Sequence, residues 1–141
     1  ASKDRPMLGM MVPQTTAAAL VSENKALGWP ASMDSIPTCE DQEDHVAMST
    51  TAARRAALVI ENTRRVIAIE MQGAVRALQF RTEESPGVQL GQGTAEGLLR
   101  AAAVIHDLDA NRSPSDEIEA LAAWLRQGGH RQLEEGLEAV S

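Results

Sequence analysis

From residue 43 to residue 81 the chain contains no proline, and no glycine before Gly73. Neither of the usual helix breakers therefore interrupts the stretch before Gly73, and the pattern predicts one long helix from about 43 to 81. At 1.5 Å rise per residue such a rod runs about 55–60 Å, more than a compact domain of this length needs. A rod that long is expected to extend into a partner. Ser49-Thr50-Thr51 is the one place where polar, cap-forming residues could restart it.

Composition sharpens this expectation. The 141 residues hold one Phe, two Trp and no Tyr, so the large aromatic side chains that usually dominate core burial are nearly missing. Alanine-rich helices approach closely but bury little area each, which favours a bundle stabilised by length and many helix contacts. The expected fold is all-α, a long-helix bundle forming one domain. Residues 1–81 supply long core helices and a loop at 29–45, and residues 82–141 supply short C-terminal helices.

The other elements follow from punctuation. Residues 7–28 read as a helix with Pro13 marking its start or a kink, and Gly28-Trp29-Pro30 stops it. Pro30 and Pro37 push 29–41 into a loop. A Gly/Ser/Pro/Glu-rich linker covers 82–93, Thr94 is expected to cap a third helix reaching about 108, and Ser113-Pro114 with Glu117 reads as a capping-box start for a fourth. Gly128-Gly129 ends that helix, and 130–140 reads as a short closing one.

The net charge of -7 is uneven: 1–81 carry nine acidic and nine basic side chains, whereas 82–141 carry eleven acidic and four basic. Nucleic-acid binding needs a concentrated basic surface, so that class is set aside. One cysteine, Cys39, excludes an internal disulfide, and no signal-like or membrane-length apolar run occurs. A reducing cytoplasm is the expected compartment, with no membrane partner.

Chemistry concentrates in residues 34–48, which hold Cys39, Gln42, His45 and the carboxylates Asp34, Glu40, Asp41, Glu43 and Asp44. No Lys or Arg lies between Lys25 and Arg54 to neutralise them. On local grounds Asp41, Glu43 and Asp44 cap the long helix, where a free N-terminus favours negative charge. Asp41 and His45 supply only a pair of metal ligands, so no metal is expected and His45 is read as a structural hydrogen-bonding residue. Carboxylates around Cys39 would raise rather than lower its pKa, the wrong direction for a nucleophile.

Four segments carry a family resemblance: Thr16-Ala-Ala-Ala-Leu-Val-Ser-Glu-Asn-Lys25, Asp34-Ser-Ile-Pro-Thr38, Gln42-Glu-Asp-His-Val46 and Ala52-Ala-Arg-Arg55. Together they resemble the C-terminal part of the histidine and aromatic amino-acid ammonia-lyases, from about Met11 to the chain end and most closely up to Phe80. The resemblance implies elimination of ammonia from an L-amino acid to give an α,β-unsaturated acid. It implies a methylidene-imidazolone (MIO) cofactor made from an internal Ala-Ser-Gly, which occurs nowhere in these residues. The electrophile and the usual tyrosine base are thus expected from an N-terminal part of the enzyme outside this chain, and the chain alone is expected to be inactive.

By the same resemblance no catalytic residue lies in this chain, and the substrate-binding residues are Gln42, Glu43 and, bordering the pocket, Met11. Gln42 helps hold the electrophile region and Glu43 faces the substrate side chain, where a carboxylate suits an imidazole ring. Asp41 stands where the family usually has Asn, and Ser49 where it commonly has Gly. The family's homotetramers, with sites shared among subunits, imply a homo-oligomer. An MIO-dependent aminomutase and a non-catalytic oligomerisation module remain as alternatives.

Overall fold

The computed structural model of the chain describes residues 10–33, 35–42, 45–106 and 113–129. Among these residues stand four helices and no β-strand: α1 (Met11–Leu27), α2 (Ser49–Glu84), α3 (Gln92–His106) and α4 (Pro114–Arg126). A 3-10 turn, Ala31–Met33, lies between α1 and α2. The all-α expectation holds. The closing helix expected at 130–140 lies outside the described residues, as do Asp34, Glu43 and Asp44.

α1 ends where expected, with the Gly28 N–H donating to the Asn24 carbonyl at 2.9 Å. Its proline causes no kink. Pro13 falls in the first turn, where backbone N–H groups have no intrahelical acceptor, so the ring removes no hydrogen bond. The Thr15 and Thr16 hydroxyls donate back to the Met11 and Val12 carbonyls at 2.9 and 3.0 Å, tightening the same turn.

α2 spans 36 residues, about 54 Å, but it begins at Ser49 and not at residue 43. Met48, immediately before it, is left-handed (φ 46) and makes no side-chain cap. Residues 45–48 therefore belong to the preceding loop, which corrects the helix start at residue 43 and the reading of Asp41 as its cap; Glu43 and Asp44 lie outside the described residues. α3 begins at Gln92 instead of Thr94, since the Gly91 carbonyl already accepts the Ala95 N–H at 2.9 Å.

The capping box of α4 is real, but its carboxylate is Asp116, not Glu117. Asp116 is the third helical residue, so its carboxylate reaches back to the Ser113 N–H at 2.7 Å while the Ser113 hydroxyl accepts the Asp116 N–H at 3.3 Å. Glu117, one position on, turns inward and is buried. After α4, Gly128 takes φ 87, and Gly129 lies so close to the Trp124 indole that a Cβ there would stand 2.1 Å from the ring.

α1 and α4 both run antiparallel to α2 and pack on its middle. On one side the Asn62 amide donates to Glu23 at 2.8 Å and Asn24 at 3.1 Å, while Met10 at the other end of α1 reaches Gly73. On the other side Arg126 pairs with Glu61, Arg65 with Glu119 and Gln72 with the start of α4. Between α2, α3 and α4 lies the apolar core of Ala68, Val75, Ala101, Ile105, Leu121 and Ala122. Leu121 is fully buried, worth about 1.5–3 kcal/mol of transfer free energy.

A polar knot joins the same helices. The Gln72 amide, itself fully buried, donates to the Pro114 carbonyl at 3.0 Å and to Glu117 Oε2 at 2.7 Å. Arg76 donates to that same carboxylate oxygen at 3.0 Å. A buried charge with two such donors is stabilising only while both remain. Glu117→Gln should lower the unfolding free energy by about 1–3 kcal/mol, read from the urea midpoint of the helical circular dichroism; an unchanged midpoint would refute the clamp.

Two carboxylates, exposed Asp116 and half-buried Glu61, tie stability to acid. The hydrogen bonds from Ser113 hold the Asp116 carboxyl below its ordinary range, and Arg126, with Arg64, does the same for Glu61. Each group thus stabilises the fold fully above the ordinary carboxylate value of about 4, and that contribution fades as pH falls through the lowered folded-state value. Asp116→Asn should accordingly be destabilising near neutral pH, with the difference from wild type vanishing in strong acid. Parallel pH titrations of thermal unfolding for the two proteins check this.

Candidate functional site

The segment between α1 and α2 is a loop tied down at three points. Its start is held by Arg55 on α2, whose guanidinium donates to the Trp29 carbonyl at 2.9 Å. Its two limbs are joined by Ser35, whose hydroxyl oxygen accepts the Val46 N–H at 2.8 Å across eleven residues. Its end runs through left-handed Met48 directly into α2, and the Met48 carbonyl accepts the Ala52 N–H at 3.0 Å.

At the tip of this loop the backbone is strained. Cys39, Glu40 and Asp41 take φ of 53, 55 and 64 in succession, and none is glycine. Left-handed backbone costs L-residues roughly 1–2 kcal/mol each. The turn closes with the Gln42 N–H donating to the Cys39 carbonyl at 3.2 Å. Gln42 follows at once with its side chain exposed, its amide offering two donors and an acceptor outward. Strain of this kind persists where surrounding contacts over-determine it, and it clusters at functional positions.

The electrostatic setting is acidic loop against helix start. Glu40 and Asp41 are exposed on the strained turn. Met48, the N-cap residue of α2, makes no side-chain cap, and the helix start is the positive end of a long macrodipole. That end can hold anionic groups, whether of the loop or of a bound molecule. Cys39 and His45 are both exposed, and among the described residues no three His, Cys, Asp or Glu side chains form a metal-sized cluster.

Of the three residues expected to bind substrate, Gln42 is presented as described and Glu43 lies outside the described residues. Met11 is exposed at the first turn of α1. Its neighbour Met10 packs at Gly73, whereas the loop joins α2 at Arg55, about 27 Å earlier along the helix axis. Met11 therefore stands at the end of the α1–α2 pair remote from that junction.

Sequence reasoning missed the knot of Gln72, Arg76 and Glu117; Arg76 and Glu117 border a cavity of about 280 Å³ also lined by Gln79 and His106. The i, i+4 spacing of Gln72 and Arg76 was its only local signal, and such pairs are common on solvated faces. Glu117 has both its donors here, so the knot serves helix docking.

The family model for aromatic amino acid lyase matches residues 2–103, which include the whole loop. The chain belongs to the aromatic amino acid lyase family. It is 45% identical over 119 residues to the histidine ammonia-lyase of Geobacillus kaustophilus, covering 84% of this chain and 23% of that protein. With the histidine ammonia-lyase of Gloeobacter violaceus it shares 46% over 132 residues, 94% of this chain and 24% of the relative. The crystal structure of histidine ammonia-lyase from Trypanosoma cruzi superimposes with a TM-score of 0.77 at 34% identity, over 93% of this chain and 24% of that one. The chain thus spans about a quarter of the length of the proteins it matches. No helix among the described residues is long and apolar enough to cross a membrane.

Proposed function

We propose that this chain is the C-terminal part of a histidine ammonia-lyase, removing ammonia from L-histidine to leave an α,β-unsaturated acid. The observation that carries the reading is the 45–46% identity to enzymes of that name across most of the chain, within a family match that contains the strained loop. The relatives' names, and a carboxylate at position 43 that suits an imidazole ring, favour histidine over phenylalanine or tyrosine. The family's implied cofactor is MIO, whose tripeptide lies outside this chain; it supplies the electron-poor centre that makes the amine a leaving group.

The donors present fit that group. Gln42 holds an exposed amide on the loop, and the loop runs into the start of α2, the positive end of its macrodipole. In this reading the Gln42 amide steadies the electrophile region by donating hydrogen bonds. Glu43 takes the imidazole N–H of the substrate and favours a charged ring, fixing its orientation. Neither residue removes the β-proton. That base comes from the N-terminal part of the enzyme.

Met11 borders the pocket in this proposal, and its distance from the loop junction favours a pocket shared between subunits of a homo-oligomer, a tetramer in the family pattern. Ile60 and Ile67 are exposed on one face of α2, and Leu58 and Phe80 on the opposite one. Side-by-side packing of long helices through Ala53, Ala56, Ala57, Ile60, Ile67 and Ala74, which share one face, would cover Ile60 and Ile67. The free thiol of Cys39 suits a reducing cytoplasm.

The function is tested by joining this chain to the preceding three-quarters of the Geobacillus kaustophilus enzyme. The joined protein should release ammonia from histidine, and the 141-residue chain alone should not. Glu43→Gln should cut kcat/KM for histidine about 10- to 100-fold, the loss of a charge-assisted bond of ~1.5–3 kcal/mol, and affect phenylalanine turnover less. Equal losses on both substrates would reject the role of Glu43. Sedimentation should show the chain as a dimer or tetramer at micromolar concentration; a compact monomer would reject association through α2.

A further inference from the structure

The loop is long, acidic and strained, and a well-formed side-chain bond joins its two limbs. Ser35 is half-buried, and its Oγ accepts the Val46 N–H at 2.8 Å, a normal length for this bond. Between these two residues lie the left-handed turn Cys39–Asp41 and Gln42. The turn's own backbone bond, Gln42 N–H to Cys39 carbonyl, is long at 3.2 Å and cannot alone offset roughly 1–2 kcal/mol of strain at each of three residues. A cross-link at the neck removes much of the loop's freedom, and strained turns survive only where such contacts hold them.

We infer that Ser35 is a positioning residue for the reaction: by taking the Val46 N–H it closes the neck of the loop and holds the strained turn that leads into Gln42 and on to Glu43 in the sequence. The inference rests on the proposed role of those two residues. Ser35 itself touches no reacting atom. Its oxygen is close to the backbone and little able to swing, so it fixes the loop's register where a longer side chain would leave it loose. Alanine leaves the Val46 N–H without its partner, whereas threonine keeps the oxygen and suits extended backbone. Losing a supporting contact of this kind misplaces the groups it supports, and displacements of about 1 Å reduce turnover by up to roughly a hundredfold.

Two measurements test it on Ser35→Ala and Ser35→Thr. In the 141-residue chain, amide exchange followed by NMR should be at least tenfold faster at Val46 in Ser35→Ala, unchanged in the middle of α2, and restored in Ser35→Thr. In the joined enzyme, Ser35→Ala should lower kcat/KM for histidine about tenfold, with threonine restoring it. Combined with Glu43→Gln, the loss should be smaller than the product of the two single losses, because both act through one loop. Unchanged exchange at Val46, exchange that rises equally throughout α2, failure of threonine to rescue, or fully multiplicative losses would each overturn the inference. A Glu43→Gln variant that fails to discriminate between histidine and phenylalanine rejects the substrate-facing role instead, while the exchange result still decides whether Ser35 closes the loop.

Discussion

Everything described in this chain leans on the middle of one helix. A sequence with almost no aromatic side chains has little with which to fill a broad core, so it stacks small and branched residues against a single rod. The face of α2 carrying Ala68, Gln72 and Val75 meets α3 and α4, and its Asn62 side meets α1. Alanine at position 68 permits close approach, and the buried Gln72 amide then fixes the register that close approach leaves open. Apolar contact alone is tolerant of sliding; hydrogen bonds to the Pro114 carbonyl and Glu117 are not.

The loop follows a different logic. Its residues bury little, and its form comes from hydrogen bonds to backbone: Arg55 to Trp29, Val46 to Ser35, Gln42 to Cys39. Such a segment has few apolar contacts to hold it and would be mobile without those ties. A chain that places three left-handed, non-glycine residues in a row where an extended path was open is holding a shape that local preference opposes.

Much of the helical frame was legible in the residues. Gly28-Trp29-Pro30 stops α1 and Ser113-Pro114 starts α4 because proline and glycine act locally, with no need of tertiary partners. The start of α2 was not legible from periodicity. Residues 43–48 carry no breaker, and what keeps 45–48 out of the helix is the Val46 amide spent on Ser35, a contact across eleven residues. The inward turn of Glu117 was hidden for a similar reason, since only the arrival of Gln72 and Arg76 from another helix makes a buried carboxylate tolerable. In the candidate site, Gln42 and Glu43 were distinguished by resemblance; composition and spacing alone favoured plain helix caps.

The rod also behaves as a lever. From Glu61, where α4 grips it, back to Ser49, α2 overhangs by about 18 Å. Arg55 lies on that overhang and carries the start of the loop. A tilt of about 3° at the packed middle moves the far end by about 1 Å, the scale on which catalytic alignment is lost. Whatever packs on the exposed Ile60 of that overhang therefore steadies the loop as well, so a contact far from the loop tip takes part in its alignment.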